Sequence, residues 1–208
     1  MILIGQFDSP FVRRVGIALR LYGMPFEHRP WSTYGDADKI APLNPLRRVP
    51  TLVLDDGEVL LDSTVILDHL DELAGPERAL VARHGTERRR ALRICALATG
   101  LADKGVGLFY ELMFHPQPSQ LWADRCRAQI ADVVAVLERE RAAISGPCWF
   151  GDAIGHADIA VACALRFVGD AHAGLVDLGG YPALAAHAAR CEAMAVFQEI
   201  SQPFIPPS

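Results

Sequence analysis

The stretch VPTLVLDDGEVLLDS, residues 49–63, sets the topology of the first third of the chain. Two apolar runs, Thr51 to Leu54 and Glu58 to Leu61, flank Asp55-Asp56-Gly57. That turn chemistry folds neighbouring strands into an antiparallel hairpin. Ser63 follows as the expected cap of a helix carrying Val65, Ile66, Leu70 and Leu73 and stopped by Gly75-Pro76.

Upstream, Ile2-Leu3-Ile4 reads as a buried strand. Ser9-Pro10 then opens a helix over 11–23, with Phe11, Val15, Leu19 and Tyr22 at helical spacing and Gly23 at its end. FEHRPW, residues 26–31, predicts a second strand ended by Trp31, before a polar segment around 34–41. The order is βαβ, a β-hairpin, then α: an α/β domain with a mixed four-stranded sheet, assigned to residues 1–75.

Beyond Gly75-Pro76 the strand signals fade. Residues 86–114 predict a long helix through Leu92, Ala96, Thr99, Asp103, Val106 and Tyr110, broken by Pro116 and Pro118. Residues 119–144 predict another through Leu121, Ile130, Val133, Val134 and Leu137, stopped by Gly146-Pro147. Two more fall at 156–168 and 182–197, so residues 84–208 are expected to form an all-helical domain.

A net charge of −5 on 208 residues gives no electrostatic case for nucleic acid or an anionic membrane surface. Arg88-Arg89-Arg90, the dense basic run, reads as a solvated helix face. No apolar stretch approaches the ~18–20 residues that cross a bilayer, and the first residues lack the pattern of a signal peptide. The five cysteines, Cys95, Cys126, Cys148, Cys163 and Cys191, fit no zinc spacing. They read as reduced, mostly buried thiols of a cytoplasmic protein without a metal site. His115, His156 and His187 read as packed or solvated, since no carboxylate or nucleophile stands at a telling spacing from them.

Three junctions invite a ligand. Unpaired N–H groups and the dipole at a helix start stabilise an anion, so Ser9 is either a plain N-cap or part of an anion site. Val49-Pro50 marks either an ordinary edge-strand start or a cis bond that frees the Val49 backbone for a peptide-like partner. Asp62-Ser63 opens the third helix, where a carboxylate is also stabilised. Arg47-Arg48 adds two cations beside Val49. Together these suit a small, multiply anionic, peptide-like ligand.

The residues, in this order, resemble the glutathione S-transferase superfamily, whose N-terminal domain is thioredoxin-like. SPFVRRVGIAL (9–19) resembles the segment carrying the family's activating residue. LNPLRRVPTLV (43–53) resembles its NPxGKVPxL segment with the cis-proline. LLDSTVILDHL (60–70), FGDAIGHADIAVACAL (150–165) and YPALAAHAAR (181–190) resemble its later signatures. The resemblance implies glutathione as cosubstrate. Ser9 would hydrogen-bond its sulfur, and Val49 beside Pro50 would pair with its cysteinyl part. Asp62 and Ser63 would hold the γ-glutamyl end, Arg48 would lie near the glycyl carboxylate, and Trp31 would border the site. A small hydrophobic electrophile would bind against the long helix, with Phe11, Tyr110 and Phe114 as its lining. A homodimer is also implied. Asp62 stands where the family has Glu or Gln, and Gly155 where it has Ser or Thr ahead of Asp158. Arg47 stands where it has Gly, which suggests a different loop path.

Serine at the first junction excludes a protein–glutathione mixed disulfide there, since the first cysteine is Cys95. Three readings stand open: a glutathione transferase, a glutathione-dependent isomerase or dehalogenase, and a non-catalytic binding protein on the same fold.

Overall fold

A computed structural model describes residues 1–207. They form two compact units: Met1–Arg83 with residues 194–207, and His84–Ala193.

The first unit is α/β. Its elements are β1 (Ile2–Ile4), α1 (Pro10–Tyr22), β2 (Glu27–Arg29), α2 (Ala37–Ile40), β3 (Thr51–Val53), β4 (Val59–Leu61) and α3 (Ser63–Ala74). The four-stranded sheet has the order β2-β1-β3-β4, with β1 parallel to β2 and the other pairs antiparallel. Leu3 and Leu52 meet α1 and α3 residues Val12, Val15, Leu19, Ile66 and Leu70 in one buried core. Gly23 ends α1 in the left-handed conformation, its N–H donating to Arg20 and Leu19 carbonyls.

Three sequence expectations change here. The second strand stops at Arg29, so Trp31 lies beyond it. The cap of α3 is Asp62, whose Oδ1 accepts the Thr64 N–H at 2.7 Å; Ser63 is the first helical residue. Val65 and Leu73 of α3 are exposed, and Ile66, Leu67 and Leu70 face the core.

The second unit is all-helical: α4 (Gly85–Phe114), α5 (Gln120–Ala142), α6 (His156–Ala171), a 3-10 turn (Leu178–Gly180) and α7 (Pro182–Glu192). Helix α6 packs against α4 and α7, and α5 against α4 and α7. The buried face of α4 is Ala91, Ile94, Cys95, Ala98, Leu101, Ala102, Gly105 and Leu108, not the Leu92–Tyr110 series. Leu121 of α5 is 84% exposed, while Ile130, Val134 and Leu137 are buried.

The segment expected as one helix over 182–197 is divided: after α7, Met194 is extended and α8 (Ala195–Glu199) begins. Residues 194–207 pack with the first unit, outside the boundary drawn at residue 84 from sequence. One anchor of this return is Arg13 of α1, only 3% exposed. Its Nε donates to the Ile200 carbonyl at 2.8 Å and its NH2 to the Phe197 carbonyl at 2.9 Å. Among the described residues, no helix is long and apolar enough to cross a membrane. All five cysteines are buried and none is disulfide-bonded. Burial pushes the Cys191 thiol up to about 12.

Candidate active site

The sheet register assembles the candidate site at one end. Ile4 pairs with Arg29 on one side and Thr51 on the other, and Thr51 pairs with Leu61. These four residues form a row across the sheet. Continuing past Ile4 leads to Ser9, and past Arg29 to Trp31. Val49-Pro50 enters at Thr51, and Asp62-Ser63 leaves from Leu61. Junctions far apart in sequence therefore share one end of the sheet because the register puts them there.

Ser9 is the N-cap of α1, and Pro10 occupies the first helical turn, where its missing N–H costs nothing. The Ser9 Oγ accepts the Val12 N–H at 3.4 Å, a long bond. Accepting leaves the hydroxyl proton free to be donated, so capping and anion binding are compatible uses of one side chain. Gly5 lets the preceding loop descend onto its neighbours: its φ is +127°, and a Cβ there would lie 2.5 Å from Val12 Cγ2 and 2.8 Å from Val49 Cβ.

The Val49-Pro50 peptide is cis. Val49 stands outside the ladder that begins at Thr51. Asn44, nearly fully buried, shapes the approach to it. Its Nδ2 donates to the Arg48 carbonyl at 2.8 Å and Thr51 Oγ1 at 3.1 Å, and its Oδ1 accepts the Leu46 N–H at 3.0 Å. Sequence reasoning passed over Asn44; an Asn three residues before a loop's left-handed position is only a weak turn signal. Arg47 has a φ of +51°, the region that favours glycine. Arg47 thus holds a glycine-like conformation, with its guanidinium 3.7 Å from Asp38. The Arg48 side chain is exposed.

Asp62 also has a positive φ, +70°. Non-glycine residues in such regions cost of order 1–3 kcal/mol and persist where surrounding structure fixes them. Asp62 is exposed and Ser63 buried at the start of α3. Trp31 is half-buried and has two cations near its ring, the Arg29 guanidinium at 5.5 Å and Lys39 Nζ at 5.9 Å from the ring centre.

Of the expected electrophile-site residues, Phe11 lies partly exposed on α1. Tyr110 and Phe114 share a face of α4 in the helical unit, their rings 5.6 Å apart.

Asp158 has a structural setting. It is buried, its Oδ1 accepting the Trp149 N–H at 2.9 Å and its Oδ2 the Gly155 N–H at 3.0 Å. The Oδ2 bond holds the start of α6, where glycine supplies no side-chain cap. Burial pushes the Asp158 carboxyl up against the pull of these donors. Buried His187 lies beside it, its Nε2 3.2 Å from the Asp158 carbonyl and its Nδ1 3.0 Å from Arg190 NH2. Arginine only donates, so Nδ1 accepts and Nε2 carries the proton. Burial lowers the His187 pKa to about 4, so the ring is neutral near pH 7 and its 3.8 Å approach to Asp158 Oδ1 is not an ion pair.

Comparison with known proteins agrees with this architecture. The glutathione S-transferase N-terminal domain family matches residues 3–78, and the glutathione S-transferase C-terminal domain family matches residues 120–190. The chain is 34% identical over 169 residues to the uncharacterized GST-like protein YibF of Escherichia coli (strain K12), covering 81% of this chain and 82% of that protein. The maleylacetoacetate isomerase of Pseudomonas aeruginosa is 35% identical over 102 residues, 47% of this chain and 48% of that one. A crystal structure of a glutathione transferase family member from Pseudomonas fluorescens Pf-5, with bound glutathione, superposes with a TM-score of 0.86 at 31% identity, covering 98% of this chain and 99% of that one. The chain belongs to the glutathione S-transferase superfamily.

Proposed function

We propose that this protein is a glutathione transferase in which the Ser9 hydroxyl stabilises the glutathione thiolate for attack on a small hydrophobic electrophile. The observation that carries the reading is the row Arg29–Ile4–Thr51–Leu61, which gathers Ser9, Trp31, Val49-Pro50 and Asp62-Ser63 at one sheet end. The bound glutathione of the Pseudomonas fluorescens relative supports the ligand.

In this reading the Val49 backbone pairs with the cysteinyl part of glutathione. The start of α3 at Asp62-Ser63 receives the γ-glutamyl carboxylate, Arg48 lies toward the glycyl carboxylate, and Trp31 borders the tripeptide. A free cysteine-type thiol has a pKa near 8.5. Lowering it by about two units costs roughly 2.7 kcal/mol of differential stabilisation. A hydrogen bond from Ser9 to the charged sulfur supplies about 1.5–3 kcal/mol. The α1 dipole adds ~0.3–1 kcal/mol. These terms suffice without a general base on the protein. The thiolate then attacks the electrophilic carbon: a C–S bond forms as a leaving group departs with its electron pair, or as a π-bond's electrons move to an adjacent atom that takes a proton. Tyr110 and Phe114, on one face of α4, are assigned to the electrophile.

Glutathione binding by calorimetry, with a pH titration of thiolate absorbance in the complex, tests the reading. Absence of binding at millimolar glutathione would favour the non-catalytic alternative. The partial match to maleylacetoacetate isomerase favours a second reading, reversible thiolate addition to a carbon–carbon double bond. That route regenerates glutathione, so thiol consumption with haloaromatics against isomerisation of unsaturated diacids separates the two. The haloaromatic arm also covers dehalogenation. Five buried, unbridged cysteines suit a cytoplasmic setting. The homodimer that the family implies is checked by light scattering.

A further inference from the structure

The C-terminal segment returns to the loop that carries Ser9. After α8, Ile200 is buried against α1, its backbone held by Arg13. Gly16 makes the space: a Cβ there would lie 2.9 Å from Ile200 Cγ2 and 2.9 Å from Phe7 Cε1. The next residues contact the loop directly. Gln202 Oε1 accepts the Phe7 N–H at 3.0 Å, and Asp8 Oδ2 accepts the Ile205 N–H at 2.9 Å. Phe7 is also stacked on His28, ring centres 3.8 Å apart, and His28 Nε2 lies 2.8 Å from the Gly5 carbonyl. The two residues immediately before Ser9 are therefore both bonded to chain nearly two hundred residues away.

We propose that the C-terminal segment is a positioning strap for the thiol site, with Gln202 a positioning residue that fixes the Ser9 hydroxyl through the Phe7 backbone. Gln202 does not touch substrate in this role. A hydroxyl that must meet a sulfur anion at hydrogen-bond distance is useful only if its loop is held, because the gain depends on geometry paid for before the ligand arrives. Gln202 supplies the acceptor that the Phe7 N–H lacks locally, and the Ile205–Asp8 bond pins the adjacent residue. The proposal extends the Ser9 reading and rests on it for its catalytic consequence, but the loop's order is measurable without glutathione.

The test uses the full chain with three substitutions: Gln202→Ala, Gln202→Glu, which keeps the acceptor, and Ser9→Ala as reference. Amide hydrogen exchange on the ligand-free protein reads residues 6–9. Gln202→Ala is expected to speed their exchange while the β1–β3 amides stay protected, and Gln202→Glu to restore protection. In the complex, Gln202→Ala is expected to lower kcat by about two- to tenfold, the range of one net hydrogen bond. It should also move the thiol titration in the direction of Ser9→Ala, with little change in KM for glutathione. Unchanged exchange at residues 6–9 in folded Gln202→Ala overturns the strap. So does faster exchange with an unmoved thiol titration in a protein where Ser9→Ala does move it. If Ser9→Ala leaves the titration unmoved, the Ser9 reading fails, and the exchange result alone decides whether the strap orders the loop.

Discussion

Gly5 and Val49 meet where β1 and β3 diverge: a β-carbon on Gly5 would lie 2.8 Å from Val49 Cβ. This close approach brings the Ser9 loop and the Val49-Pro50 junction together. With φ at +127°, the position is strained for any side chain as well as crowded. Gly5→Ala is expected to destabilise the protein by about 2–4 kcal/mol, from overpacking and backbone strain together. Denaturant unfolding reads the stability, and glutathione affinity should fall in the fraction that folds.

Ser9→Ala removes both the long cap to Val12 and the proposed donor to sulfur. The cap loss should cost about 0.5–2 kcal/mol of stability, and less here because the bond is 3.4 Å. The larger effect is expected on chemistry. The apparent pKa of bound thiol should rise by one to two units, roughly the worth of one charged hydrogen bond. The pH–rate profile should shift to higher pH with it. An unshifted profile would remove Ser9 from the mechanism.

Asp62 does two jobs in the proposed site, capping α3 and facing the ligand's amino-terminal end. Asp62→Ala is expected to cost about 1 kcal/mol of stability through the lost Thr64 N–H bond. It should also raise KM for glutathione more than it lowers kcat, because the group is remote from the sulfur. Equal losses in kcat and kcat/KM, with KM unchanged, would contradict this placement.

Arg47 holds a conformation that glycine adopts without penalty. Arg47→Gly is expected to leave stability unchanged or raise it by up to about 1 kcal/mol, and Arg47→Val to lower it by about 1–2 kcal/mol. Thermal melts of the two variants decide this, since the 3.7 Å approach to exposed Asp38 is too weak a contact to reverse the order.

His187 predicts a pH dependence of stability. Its folded pKa is lowered to about 4 from 6.5, so the unfolded chain binds the extra proton between those values. The stabilisation is complete above pH 6.5 and is lost as pH falls toward 4, an effect of about 3 kcal/mol. Asp158 has the opposite sign: its raised carboxyl favours the folded state only while protonated, and that contribution fades as pH rises through its folded pKa. Comparing unfolding free energies of the wild type and His187→Gln from pH 4 to 7 isolates the histidine, and the variant should show the shallower slope.

The sequence by itself determined the order of the four strands and the longer helices, the hairpin at Asp55-Asp56-Gly57, the helix start at Ser9-Pro10 and the helix stop at Gly23. Turn chemistry and capping act within a few residues and leave local marks. It also marked the three junctions of the candidate site, because each is a strand end or helix start. The tertiary structure decided what those marks mean together. The row Ile4–Thr51–Leu61 makes one site of them, and strand register is not a local property. The core face of α4 was illegible because five of its eight buried residues are Ala, Cys or Gly, while Leu92 points outward. The start of α7 is capped by Glu138 of α5, which accepts the Ala183 and Leu184 N–H groups across 45 and 46 residues. In the return of the C-terminal segment, Arg13 meets carbonyls 184 and 187 residues away. Contacts at such separations form only once the core has brought both partners together, so no pattern within either segment announces them.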